Sequence, residues 1–554
     1  MVRMATKIIL LISIVLFEIG SANAQGSLLL IGGGNDRNRW ADDPFRWFVQ
    51  QADSGKIINI DVSSVATSYA TTFKSWGADA TSSSLQIPTK TVANDSATYY
   101  ELISANGIFI EGGDQWPYVS NWKGTLVEDA IHEVFSKGGV IGGTSAGLAV
   151  LGEVVFDAKF GGAYPQDLAY NPYNNRIHFT DDFLTVLPGV LTDSHFHPRG
   201  RLGRLVPMLA RQIQDSGRDS LIAIGVDDNT AFCLYPDRTG IVYGESTVSI
   251  LYKMENSTIV CEPMKPLTFT NISYTQLNHG AVYDLNTRTL IETGLNLEPV
   301  TETLPEPAYQ DVIMNGGDEN TSQLGEIRIQ NITSNELNAW RGNLRLAPGD
   351  SVVRQALIVP KVWNDSDFFE NRIIGGMFGA AKYPGFYTIY LDDQSSVTID
   401  EQGILTTTTL CYLFDTSTAT HIGFNGSRST NYPGVVNATL HWLGNGVTFD
   451  LKERYVEVDG EPFEPDSRYF NLLDNYPNPF NATTTIMYHN PKADRIRLDV
   501  FDINGRHVET LVDAIQSAGL HHIEWHAGGM ASGLYLYRVA STRSQDVGKC
   551  LLLK

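Results

Sequence analysis

Gly143-Thr144-Ser145-Ala146-Gly147 places a serine between two glycines, directly after the apolar pair Val140-Ile141 and just before Leu148 to Leu151. This is the setting of a nucleophile elbow, where small flanking residues let the chain turn sharply and leave the hydroxyl exposed at the carboxyl end of a strand. A serine hydroxyl is a poor nucleophile until a base removes its proton, so the reading requires a histidine from elsewhere in the chain. His195 and His197 are the candidates, both within Asp193-Ser194-His195-Phe196-His197. Arg199, Arg201 and Arg204 follow closely. Arg201 and Arg204 share a face if a helix starts there, and their guanidinium forks suit a substrate carboxylate. A competing chemistry takes Asp193, His195 and His197 as metal ligands of an amidohydrolase-like enzyme. No distant ligand cluster in the sequence supports it, and Ser145 would then be idle.

The elements that must position these groups read as an α/β fold. Residues 28–31, 57–60, 108–110 and 140–141 are short apolar runs of the kind found in a parallel sheet buried between helices. Between the last two, Leu126, Val127, Ala130, Ile131, Val134 and Phe135 recur at helical spacing and stop at Gly138-Gly139. Gly32-Gly33-Gly34 follows the first strand, but Arg37 stands where a third spaced glycine would be and no GK[ST] follows, so a nucleotide site is rejected.

Pro305-Glu306-Pro307 and Pro462-Phe463-Glu464-Pro465 look like linkers, dividing the chain into a catalytic segment 25–304, a middle segment 305–465 and a tail 470–554. The middle segment reads as a degenerate partial repeat of the first. Asp193-Ser194-His195-Phe196 aligns with Asp365-Ser366-Asp367-Phe368, and Asp227-Asp228 with Asp392-Asp393. Leu277 to Arg288 aligns with Leu443 to Arg454, and Gly112-Gly113-Asp114 more weakly with Gly316-Gly317-Asp318. The copy has Asp367 in place of the histidine and no GxSxG, so it is expected to be catalytically dead.

These motifs resemble those of cyanophycinases, which belong with dipeptidase E among serine peptidases on a glutamine-amidotransferase-like fold. The resemblance rests on Ile110-Glu111-Gly112-Gly113-Asp114-Gln115, the GTSAG around Ser145, Asp193 to Arg204, and Gly225-Val226-Asp227-Asp228, in that order. It implies Ser145 as nucleophile, His195 as general base and Asp228 as the third member of the triad, one methylene shorter than the family's glutamate. Gln115, Asp193, Arg199, Arg201 and Arg204 would line the substrate pocket, with the backbone amides near Gly113 and Ala146 as oxyanion hole. The implied activity is hydrolysis of aspartyl-arginine or related isoaspartyl peptide bonds, with no cofactor and no metal. Ser194 stands where the family has a glutamine, which puts the identity of the peptide substrate in question. The alternative from a different class is a surface binding protein that has lost its activity.

Residues 1–24 combine Arg3 and Lys7 with an apolar run and Ala22-Asn23-Ala24, which reads as a signal peptide. A net charge of −22 speaks against nucleic acid as a partner and at most favours cationic substrates. Cys233, Cys261, Cys411 and Cys550 show no metal-ligand spacing, and buried strand thiols are expected in place of a disulfide framework. In the tail, Asn475 to Asn481, a strand over 496–501, the Asn504-Gly505 turn and Gly533 to Arg538 form a small β-sandwich-like module. It resembles the sorting domain of type IX secretion cargo, which implies the type IX machinery as partner and a secreted or cell-surface location. His521, His522 and His526 are read as strand and turn surface and not as a metal site. Whether the protein forms a homodimer is open at this point.

Overall fold

The computed structural model describes residues 25–553 except 37, 295, 302–303, 305–306, 316, 331–337, 340, 364–371, 425–431, 458–470, 477–479, 491, 504, 518 and 543–544. Residues 1–24, read above as a signal peptide, and Asp365 to Phe368, Gly316, Pro305-Glu306, Pro462 to Pro465, Pro477 to Pro479 and Asn504 therefore lie outside the described residues.

Strands β1 (Leu28–Ile31), β2 (Ile57–Asp61), β3 (Ser83–Gln86), β4 (Gly107–Ile110) and β5 (Val140–Thr144) pair in parallel in the order β3-β2-β4-β5-β1. Four of the five are buried along their whole length. Phe45, Phe48 and Phe73 cover one face of this sheet; Leu102, Val127 and Ile131 cover the other. Burial on both faces is why these strands are continuous apolar runs without alternation. The helix Leu126–Ser136 ends before Gly138, whose φ of 86° reverses the chain into β5.

Beyond β5 the chain builds a second sheet and returns to the first. β6 (Gly152–Phe156), β7 (Phe179–Thr180), β8 (Leu187–Asp193) and β9 (Ile222–Val226) belong to the second sheet, while β10 (Thr230–Leu234) and β11 (Thr239–Gly244) lie beside β1. β12 (Val248–Lys253), β13 (Ile259–Val260) and β14 (Thr268–Leu277) extend the second sheet; β15 (Val282–Asp284) and β16 (Thr289–Glu292) complete the first.

After β17 (Glu298–Pro299) the middle segment follows a parallel course. It contains β18 (Val312–Asn315), β19 (Gly325–Ile329), β20 (Leu346–Pro348), β21 (Val353–Val359), β22 (Tyr387–Leu391), β23 (Ser396–Ile399) and β24 (Ile404–Thr407). β25 (Cys411–Asp415), β26 (His421–Phe424), β27 (Pro433–Leu443), β28 (Thr448–Asp450) and β29 (Tyr455–Glu457) complete it. The five-stranded order β18-β23-β24-β28-β29 corresponds to β1-β10-β11-β15-β16, and β20-β19-β21-β22-β25-β27 to β7-β6-β8-β9-β12-β14. Nothing among the described residues of this lobe corresponds to β2 through β5.

The two lobes join edge to edge. β14 pairs antiparallel with β27, with Phe269 opposite Trp442 and Tyr274 opposite Ala438, so one fifteen-stranded sheet runs through both. One core is shared as well: Leu191, Leu205 and Tyr274 lie in the same cluster as Trp363, Met377, Tyr412 and Trp442. The division at 304 thus falls within a common sheet and core. The tail forms its own core, around Ile486, Leu498, Trp525 and Tyr537, between a three-stranded and a four-stranded sheet. All four cysteines are buried, and none forms a disulfide. His521 stacks on Tyr488, and no cluster able to hold a metal occurs among the described residues.

The shared core predicts joint unfolding. Trp442 is fully buried, with its ring centroid 3.9 Å from that of Tyr412, so Trp442→Ala should cost about 3–5 kcal/mol. Calorimetry should show both lobes melting in a single transition at lower temperature; separate transitions for the two lobes would contradict a common core.

Candidate active site

β5 delivers Ser145 to the helix Ala146–Ala149 through a residue with φ 54° and ψ −113°. Such a backbone costs a non-glycine residue on the order of 1–3 kcal/mol and persists only where its surroundings enforce it. The enforcement comes from close backbone approach. A Cβ on Gly143 would lie 2.2 Å from the Gly147 carbonyl oxygen, and one on Gly147 would lie 2.2 Å from that of Ile110. Both glycines of the motif are therefore required by close backbone contact.

His195 sits in the turn after β8 and also has positive φ, 45°. Its amide donates to the Gly32 carbonyl at 2.9 Å, and the amide of Phe196 donates to that of Val226 at 3.2 Å. Its Nε2 is 2.7 Å from Ser145 Oγ, and its Nδ1 is hydrogen-bonded to Oδ1 of Asp228, just past the end of β9. A carboxylate on Nδ1 holds that nitrogen protonated and leaves the Nε2 lone pair facing the serine. Burial lowers the pKa of His195. Asp228 opposes that shift, and the charges of Arg201 and Arg199 reinforce it. The imidazole is thus kept neutral, the state a general base needs.

The glycines rejected as a nucleotide loop have a different use. A Cβ on Gly33, where φ is 124°, would lie 2.2 Å from Cε1 of His195, so the imidazole rests in the space a side chain would fill. Sequence reasoning missed this role, and three glycines immediately after the first strand were the only signal for it. Asp36, in the same loop, was also missed. Its carboxylate accepts from the Tyr69 hydroxyl at 2.8 Å. Burial raises its pKa against the bonds from Tyr69 and Thr144, and the charge of Asp228 adds to the rise.

The remaining candidates separate into two groups. Asp193 is buried and binds Arg204 through two bonds of 2.7 and 2.6 Å, with Arg201 at 3.2 Å. Burial pushes its carboxyl up, but the two guanidinium groups outweigh burial and hold it below the usual carboxylate range. Arg204 is buried too, 5.2 Å over the Phe156 ring, so its fork is occupied by Asp193. Arg201 donates to the Ser194 carbonyl at 2.8 Å and to its hydroxyl at 3.3 Å, while Arg199 is half-buried at the turn. Gln115 opens the helix Gln115–Trp122 and donates to the Phe156 carbonyl at 3.1 Å. Gly112 and Gly113 pass beside Ser145: a Cβ on Gly112 would lie 3.3 Å from that of Ser145, and Gly113 has φ 153°. Tyr118 fixes this strip through its hydroxyl, which bonds to the carbonyls of Glu111 and Gly112 and to Asp61. Ala146 carries the first amide of the helix after Ser145.

This arrangement lies within or near a segment with known relatives. Residues 28–174 match peptidase family S51. Residues 474–553 match the secretion system C-terminal sorting domain. Cyanophycinase of Synechococcus elongatus is 30% identical over 190 residues, covering 34% of this chain and 55% of the relative. Cyanophycinase of Trichormus variabilis is 27% identical over 276 residues, covering 48% and 87%. The chain thus spans about half the length of the first relative and most of the second. Among solved structures, a peptidase from an acI-B1 Actinobacterium is 18% identical with a TM-score of 0.33, covering 47% of this chain and 98% of that one. A putative peptidase E protein from Listeria monocytogenes EGD-e is 17% identical with a TM-score of 0.27, covering 40% and 100%.

Two outcomes test the geometry. Gly33→Ala should displace the His195 ring and abolish labelling of Ser145 by a fluorophosphonate, while circular dichroism stays unchanged. In the unaltered protein, labelling should persist to a pH below the ordinary histidine pKa of about 6.5 and be lost only as His195 gains its proton, because burial disfavours the imidazolium.

Proposed function

We propose that the first lobe is a serine peptidase of the S51 kind, with Ser145 as nucleophile, His195 as general base and Asp228 orienting the imidazole. The hydrogen-bonded series Ser145, His195 and Asp228 carries the reading, with the strained elbow at Ser145 inside the segment similar to family S51 and the other two residues beyond it. The hydroxyl attacks the scissile carbonyl while its proton passes to Nε2. Amides at Gly113 and Ala146 would receive the developing oxyanion, and the imidazolium returns its proton to the leaving amine. Water then hydrolyses the acyl-enzyme by the same route.

The substrate is an aspartyl-linked peptide, β-Asp-Arg or a related isoaspartyl bond. Arg199 and Arg201 are the groups that would receive its carboxylate, with Gln115 beside them; Asp193 and Arg204 brace Arg201 from below. The middle lobe is a degenerate copy. Ile373 and Gly376 stand where the first lobe has Arg201 and Arg204, and the Tyr390 ring fills the space beside Gly376. The amino-terminal segment and the sorting-domain tail support export to the surface or medium by the type IX machinery.

The mature protein should release β-Asp-Arg from cyanophycin or split β-aspartyl dipeptides, with products read by mass spectrometry. Ser145→Ala should abolish this with the fold intact, and Asp228→Asn should slow it by about 10⁴-fold, as the triad aspartate does elsewhere. A chelator should have no effect. Turnover that survives Ser145→Ala but not chelation would favour the metal-ligand reading of His195 and His197.

A further inference from the structure

The second lobe reaches the arginine side of the site through one indole. Trp363 stands just past the end of β21, on a stretch clamped by the backbone around it. The Val362 amide donates to the Leu391 carbonyl, at the end of β22, at 3.0 Å, and the Val362 carbonyl accepts from the Arg372 amide at 3.2 Å. Arg372 also donates to the Pro360 carbonyl at 2.9 Å and forms two bonds of 2.8 Å to Glu319. The indole is buried. Its Nε1 donates to the Tyr412 hydroxyl at 2.9 Å, and its ring meets those of Tyr412 and Trp442 at centroid distances of 5.7 and 6.4 Å. Tyr412 lies on β25 and Trp442 on β27, the strand that pairs with β14 where the lobes join.

The far edge of this aromatic column rests on Gly203. A Cβ there would lie 2.7 Å from Cζ2 and Cη2 of Trp363 and 2.6 Å from Cβ of Pro165. Gly203 is the second residue of the helix Leu202–Ser216, a place where glycine is less stable than alanine. Contact on two sides accounts for it, because no side chain fits between the indole and the proline. Arg201 and Arg204 flank this seat, the first immediately before the helix and the second in its opening turn. The segment hangs at one end from the Arg201 amide, which donates to the Phe196 carbonyl at 2.8 Å, and bears at the other on Trp363. His195 and Phe196 are pinned separately, to Gly32 and Val226, so a shift of the helix's first turn moves the arginines and leaves the imidazole in place.

We propose that Trp363 of the second lobe is a positioning residue for substrate binding: seated on Gly203, it fixes the turn that aims Arg201 at the substrate carboxylate. This rests on the reading of Ser145, His195 and Arg201 given above. The ion pair of Asp193 with Arg204 holds the same turn from inside the first lobe, and the indole closes it from outside. Close-packed interiors respond to the loss of even one methylene, so truncating the indole lets the turn relax into the space left behind. The degenerate lobe thereby shapes affinity without contributing a residue to the site.

The test measures protection of Ser145 in the full chain, with the β-Asp-Arg dipeptide competing against an uncharged fluorophosphonate. The half-protecting concentration reports the arginine side of the site, and the labelling rate without dipeptide reports Ser145 and His195. Trp363→Leu should raise the half-protecting concentration about tenfold and change the labelling rate by less than about twofold, since a misplacement of about 1 Å is enough for an effect of that size. Tyr412→Phe keeps the column but removes the acceptor of the indole N–H; it should act in the same direction by less, and it serves if Trp363→Leu does not fold. Leu405→Ala, in a separate core of the second lobe, should lower the melting temperature and leave the half-protecting concentration where it was. An unchanged concentration in whichever of the two column variants folds, a labelling rate that falls in step with protection, or an equal rise in Leu405→Ala would overturn the proposal. In the unaltered chain, labelling without protection would overturn the assignment of Arg201 to the substrate and the proposal with it, whereas absence of labelling would overturn the peptidase reading itself.

Discussion

The site depends on one contact, the 2.7 Å approach of Ser145 Oγ to His195 Nε2, made between two residues that both hold left-handed backbones. Neither conformation is stable by local preference, and neither residue is a glycine. The surrounding architecture supplies what local preference does not. Gly143 and Gly147 let three backbone segments meet at the elbow, Gly33 makes room for the imidazole, and amides at 195 and 196 pin the opposite turn to Gly32 and Val226. The parallel sheet matters because it brings the carboxyl ends of β1 and β5 to the same level, so the glycine bed and Ser145 face one ring.

The electrostatics are local. The sequence as a whole is strongly acidic, but charges farther than about 8 Å apart are largely screened at physiological salt. The cations whose charge reaches His195 are Arg201 and Arg199. The third arginine is already neutralised by Asp193, and that pair stiffens the base of the turn instead of enlarging its positive field.

Legibility in the sequence followed how local the determining forces are. The strands at 28–31, 57–60 and 108–110 and the helix after Leu126 stand close to where their patterns put them, because both faces of that sheet are buried by neighbouring helices. Thr268–Leu277 was not legible, since TFTNISYTQL reads as a half-polar strand and its burial comes from a lobe more than a hundred residues away. The family resemblance, not spacing, put Ser145, His195 and the arginines in one neighbourhood, and it did not reveal that Arg204 binds Asp193. Nor could it show that a triple glycine serves a histidine and not a phosphate. The expected division at 304 leaves the core undivided, since one cluster holds residues from both sides of it.

The pairing of β14 with β27 has a consequence for life outside the cell. Two similar sheets that met as separate chains would come apart on dilution, and each would then expose a long strand edge ready to pair with a stranger. Joined in one polypeptide, the edges meet at an effective concentration set by the intervening chain, not by the medium. The sheet thus stays closed however few copies surround it.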